Sequence, residues 1–109
     1  MSIKTLLKPW GYEELLVDLP EYRIKRLVVL AGRRTSLQYH NHKVETMIFP
    51  DGRVVTYLPR VKHRLSAPKD RSLEVIEVSH GSDDDIVRVE DDYGRTPTSD
   101  GKEVENHHG

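Results

Sequence analysis

The stretch SLQYHNHKVETMIF, Ser36 to Phe49, sets His40 and His42 one residue apart, with Glu45 three positions further on. On an extended strand an i, i+2 pair points both imidazoles to one face, close enough to share a metal ion. Imidazole suits Zn, Fe, Ni and Cu, and a carboxylate widens the range toward Mn. Glu45 has the opposite parity, so it joins such a site only where the chain bulges or turns at Lys43–Val44. A third imidazole would come from His63 or His80. The same residues also suit the wet face of a strand. Glu45 would then pair with Lys43 or Arg53, a surface contact worth about 0–1 kcal/mol.

Other chemistries lack their residues. AGRRTS, residues 31–36, has neither the glycine spacing of a phosphate loop nor a helical pattern after it. No serine stands in a nucleophile-elbow context. The acidic clusters Asp83–Asp85 and Glu90–Asp92 match no calcium loop and read as solvated turns.

The elements that must position these residues read as strands. Tyr12–Val17, Tyr22–Leu30, Thr35–His42, Glu45–Phe49, Arg53–Leu58, Leu73–Val78 and Ile86–Val89 are β-prone or alternate, and His63–Ser66 is short and extended. Turn residues separate them: AGRR at 31–34, PDG at 50–52, APKD at 67–70 and HGSDDD at 80–85. Pro59 ends the strand before it or makes it an edge. No segment carries sustained helical periodicity. Many short strands between turns indicate an all-β sandwich or small barrel. Residues 96–109 are polar and nearly free of large apolar side chains, so a disordered tail is expected there. Its His107–His108 pair is read as part of a solvated terminus.

Bulk properties narrow the partners. With 109 residues, one domain is expected, spanning 1–95 ahead of the tail. The net charge of −1 gives no electrostatic argument for nucleic acid or an anionic membrane. The absence of cysteine removes disulfides, thiolate catalysis and iron–sulfur clusters. The apolar run in MSIKTLLKPW is too short for a signal peptide, and no later run is long enough to span a bilayer. A cytoplasmic protein is expected. Leu27, Val29, Val54, Val75 and Val78 are taken as a sheet face that pairs with a second copy, giving a homodimer.

Several stretches, in order, resemble the small cupins, and within them the C-terminal domain of type II phosphomannose isomerase and its stand-alone relatives. KPWGYEELL at 8–16 is similar to that family's first strand, and IKRLVVLAGRRTSLQYHNHKVET at 24–46 to its first motif. KHRLSAP at 62–68 is similar to the second motif, LEVIEVSHG at 73–81 to the strand after it, and DDIVRVEDDYGR at 84–95 to its terminal segment. The chain departs from the pattern between the motifs. Only TMIFPDGRVVTYLPRVK separates Glu45 from His63, Pro59-Arg60-Val61 has no glycine, and Thr46 stands where many full-length isomerases carry another histidine and smaller relatives often have Thr.

The resemblance implies a cupin jelly-roll barrel, shortened between its two motifs, with a site in the barrel mouth. It implies a divalent ion (Zn, Mn, Fe or Ni) on His40, His42, Glu45 and His63. It gives Arg95 a role in phosphate binding or proton transfer, and His63 a role as base if it stays unligated. Gln38, Lys25 and Tyr93 would line the substrate. The implied chemistry is aldose–ketose isomerisation of a sugar phosphate such as mannose 6-phosphate. The alternatives are a cupin that binds a sugar or small carboxylate without turnover, and a metal-dependent dioxygenase.

Overall fold

A computed structural model describes residues 4–98. The histidine pair and residues 99–109 of the expected tail lie outside them. Eight strands form: β1 (Lys4–Lys8), β2 (Gly11–Asp18), β3 (Arg23–Val29), β4 (Leu37–Tyr39), β5 (Val44–Ile48), β6 (Val54–Tyr57), β7 (Leu73–His80) and β8 (Val87–Glu90). Six make one antiparallel sheet in the order β1-β2-β3-β7-β5-β6, and β4 pairs with β8 in a second. Among the described residues no helix is long and apolar enough to cross a membrane.

The inner face of the large sheet follows from strand parity. On β3, Lys25, Leu27 and Val29 point inward; on β7, Val75, Glu77 and Ser79; on β5, Glu45 and Met47. All are buried. Trp10, Leu27, Val29, Met47, Leu65 and Val75 form the apolar core, with Tyr57, Leu73 and Tyr93 packed against it. The second layer is thin. β4, β8 and isolated bridges at Arg34–Ser66 and Gln38–His63 close over the core. Thr35 secures that layer: its N–H donates to Leu65 O at 2.9 Å, and its hydroxyl accepts from Leu65 N–H at 3.0 Å.

The β1–β2 turn is tight. Lys8 pairs with Gly11 across Pro9-Trp10, and Leu30 N–H donates to Trp10 O. Gly11 has φ 154°, and a Cβ built on it would lie 1.9 Å from Val28 O, so only glycine fits. The β5–β6 hairpin turns at Pro50–Gly52, with Gly52 at φ 91° and its N–H donating to Phe49 O. Arg60 is the one non-glycine with positive φ among the described residues, at 70°. Its N–H donates to His40 O, which ties that bend to the site.

Three sequence expectations change. β1 forms where only a short apolar run had been noted; it is an edge strand, and its lysines hide the pattern. The strand expected over Thr35–His42 shrinks to β4, because the chain turns after Tyr39. Of the proposed pairing face, Leu27, Val29 and Val75 have inward parity and fill the core, while Val54 on edge strand β6 is 62 % exposed.

Candidate metal centre

The turn after β4 builds the centre. One carboxylate, Asp85, accepts the main-chain N–H groups of Asn41, His42 and Lys43 at 2.9, 2.7 and 2.9 Å. These bonds hold its own pKa below the usual carboxylate range against the effect of burial. They also wrap the chain at 41–43, so the i, i+2 parity of a flat strand is lost there. His40 stays inside and His42 swings out to an exposed position. Lys43, just before β5, and Glu45 within it then fall on the inward side.

His40, Glu45 and His63 meet as a result. They are 4, 3 and 6 % exposed, and one donor atom from each lies within 4.8 Å of the others. Glu45 Oε1 is 3.1 Å from His40 Nε2 and 3.0 Å from His63 Nε2. Two donors on one ion, each at about 2.0–2.1 Å, stand about 3.0 Å apart at a right angle and about 3.4 Å apart at a tetrahedral angle. The observed spacings fall in that range.

The other ring nitrogens decide the protonation pattern. His40 Nδ1 lies 2.6 Å from Asp85 O, and His63 Nδ1 lies 2.9 Å from Val61 O. A carbonyl only accepts, so each Nδ1 carries a hydrogen. In a neutral ring Nε2 is then a bare lone pair. Two lone pairs and a carboxylate oxygen converge on one point, and what that point takes is a proton or a metal cation. His40 Nε2 is buried with no hydrogen bond, whereas His63 Nε2 makes a contact of hydrogen-bond length with Glu45 Oε1, the one that a shared proton or an ion would bridge. Tyr57 fixes the second ring by stacking on His63, centroids 4.2 Å apart. The donor set therefore fits a divalent ion. Two imidazoles and one carboxylate leave positions open for a ligand.

Around the triad lies a buried charge cluster that the motif alone did not show. Lys43 Nζ reaches Glu45 Oε2 at 2.9 Å, Asp83 Oδ1 at 3.0 Å and Glu77 Oε2 at 3.8 Å. Lys25 Nζ pairs with Asp83 at 2.9 Å and Glu13 at 3.1 Å. Burial pushes both lysines down, but the surrounding carboxylates outweigh it and both stay charged. Burial likewise opposes ionisation of Glu45, yet His40, His63 and Lys43 hold it well below its ordinary range. Burial lowers His40 too, but Glu45 and the Asp85 carbonyl raise it above the usual histidine value.

Glu77 is the exception. Burial and the neighbouring Glu45 charge push it from 4.5 up to about 7. The folded state therefore keeps a proton that the unfolded chain releases, and this group's contribution to stability falls as pH rises through that window. Glu77→Gln should flatten the slope between pH 4.5 and about 7, read from denaturant midpoints across the window. A slope equal to that of the parent chain would refute this.

These groups line a cavity of about 220 Å³ together with Trp10, Gln38 and Arg95. Of the residues expected at the site, His40, Glu45, His63, Gln38, Lys25 and Arg95 are brought to it. His42, His80 and Tyr93 are not among the lining residues. His80 ends β7 exposed, and the Tyr93 hydroxyl donates to Arg34 O at 2.9 Å. Arg95 arrives already engaged: its Nε and Nη2 donate to the two oxygens of Asp91 at 2.9 and 3.0 Å. Glu77 was missed. A carboxylate in the inward row Leu73, Val75, Glu77 was the signal for it.

No family model matches the chain. Among solved structures, a cupin-2 domain protein of Rhodospirillum rubrum aligns with TM-score 0.56 and 16% identity, over 88% of this chain and 76% of that one. The chain has a cupin fold. The capsular polysaccharide assembling protein CapF of Staphylococcus aureus shares this cupin architecture over 82% of the present chain and 34% of its own, with TM-score 0.64 and 11% identity. In sequence, the cupin resembles the xanthan biosynthesis protein XanB of Xanthomonas campestris, 37% identical over 85% of this chain. It also resembles the alginate biosynthesis protein AlgA of Pseudomonas aeruginosa, 36% identical over 82%. A mannose-1-phosphate guanylyltransferase of Klebsiella pneumoniae is 31% identical over 84%. The chain spans about a quarter of the length of these relatives, 24, 22 and 24% respectively.

Proposed function

We propose that this chain is a metal-binding cupin that takes a sugar or sugar phosphate and runs aldose–ketose isomerisation of the mannose 6-phosphate type. The observation that carries the reading is the convergence of three buried donor atoms at the wall of a cavity. The relatives' names, which concern xanthan, alginate and mannose 1-phosphate, supply the substrate class. His40, Glu45 and His63 would hold the ion, which when bound polarises the carbonyl and adjacent hydroxyl oxygens as a Lewis acid.

The chain's own residues must bind the sugar and move the proton. Glu45 and His63 are both committed to the triad, so neither is a free base. Glu77 serves instead: it lines the cavity, its Oε2 has no hydrogen-bond partner, and its pKa of about 7 suits exchange near neutrality. Its carboxylate takes the proton from the carbon beside the carbonyl, leaving an enediolate, and returns it to the former carbonyl carbon, while the hydroxyl proton on the neighbouring carbon passes to the former carbonyl oxygen. Gln38 and Lys25, which line the cavity, would hydrogen-bond sugar hydroxyls.

A second reading, sugar or small-carboxylate binding without turnover, is favoured by one observation. Asp91 occupies the Nε–Nη2 edge that Arg95 would offer to a phosphate. The experiment begins with metal analysis of the purified protein and a coupled assay with mannose 6-phosphate. About one ion per chain is expected, together with turnover, and His40→Ala should remove both. Turnover that survives His40→Ala would take this centre out of the reaction. A metal-loaded protein that binds the sugar but never converts it would establish the second reading.

A further inference from the structure

We propose that Lys43 determines which ion this centre accepts, by holding Glu45 as a one-oxygen ligand. The inference rests on the metal reading above and goes beyond it. The two oxygens of Glu45 face different partners. Oε1 points to the two imidazoles at 3.0 and 3.1 Å, and Oε2 is held by Lys43 Nζ at 2.9 Å.

The ammonium is pinned from several sides. Asp83 lies 3.0 Å away and Glu77 3.8 Å away, and the lysine side chain is 6 % exposed. Its main-chain N–H is fixed by Asp85. Its stem runs beside Gly81, where an added Cβ would meet Lys43 Cα, Cβ and Cγ at 3.1, 3.3 and 3.4 Å. Turning Glu45 to offer both oxygens to an ion would strip a buried ammonium of its shortest contact, which is strongly unfavourable.

The ion therefore meets two imidazole nitrogens and a single carboxylate oxygen. That set suits Ni, Zn and Fe, which bond well to imidazole. It is poor for ions that draw on several or bidentate oxygens, as Ca does, and poorer for Mn than an open carboxylate would be. The ammonium on Oε2 also draws negative charge away from Oε1, which penalises oxygen-seeking ions most.

The test is isothermal titration of the metal-stripped full chain with Ni²⁺ and with Mn²⁺ separately. Lys43→Met should raise Mn²⁺ affinity relative to Ni²⁺ by about 10-fold or more, the size expected when a partner of a ligating group is removed. Lys43→Arg, which keeps a cation on Oε2, should retain the parent ratio. His40→Ala reports any nickel bound elsewhere on the chain. An unchanged ratio in Lys43→Met overturns the role of Lys43 and leaves the centre standing. Should Lys43→Met not fold, metal-edge X-ray absorption of the nickel-loaded parent decides: one carboxylate oxygen supports the proposal and two overturn it. A parent chain that binds neither ion removes the centre and this inference together.

Discussion

Glu45→Ala should cost about 3–5 kcal/mol of folding stability, even with no metal present. Glu45 is the anion that Lys43, His40 and His63 all face, at 2.9–3.1 Å. Removing it leaves a buried ammonium beside imidazoles that hold their Nδ1 hydrogens toward carbonyls. The remaining acids replace it only in part: Asp83, 3.0 Å from the ammonium, is half exposed and shared with Lys25, and Glu77 is 3.8 Å away. A urea midpoint in chelator would measure the loss. The double variant Glu45→Leu, Lys43→Met should recover part of it, because charge and countercharge leave together. A loss below about 1 kcal/mol for Glu45→Ala would mean that the cluster is solvated like an ordinary surface pair.

Gly11→Ala is the second large effect, expected to cost about 3 kcal/mol or more through backbone displacement rather than lost contacts. The new Cβ would lie 1.9 Å from Val28 O and 3.3 Å from Leu30 N, both main-chain atoms. Either β3 moves, which the buried row Leu27, Val28, Val29 resists, or the β1–β2 turn lifts away. The second outcome carries Trp10 out of the core and off the cavity wall. Trp10 is the chain's single tryptophan, so its emission should shift red along with the loss of stability. Parent-like stability and emission in the Gly11→Ala variant would show that the close approach is not rigid.

How much of this was legible depended on how local the cause was. β2, β3, β5, β6 and β7 follow from alternation and turn residues, and Pro50–Gly52 turns where its chemistry requires. The inward row on β7 already placed a carboxylate, Glu77, among aliphatic residues. Asp91 stands four residues before Arg95, in plain view of the pairing that now engages it. The fate of His42 and Lys43 was not legible. Flat-strand parity favoured His42, and the turn that reverses this depends on Asp85, more than forty positions away. The pairing of Glu45 with Lys43 was foreseen as a surface contact. It is buried because His40, His63 and Asp83, from separate parts of the chain, close around it.

The strand order has a consequence for time as well as for place. β5 finds its neighbours in β6, which follows it at once, and in β7, some thirty residues later. His40 and the turn at 41–43 wait longer still, for Asp85. A chain still emerging from synthesis can hold His40, Glu45 and His63 and yet have no centre. Such non-local pairing folds slowly, because loop closure comes before its reward. A metal that enters last would do little to speed folding and much to slow unfolding, acting as a clasp on the finished barrel rather than a seed for it.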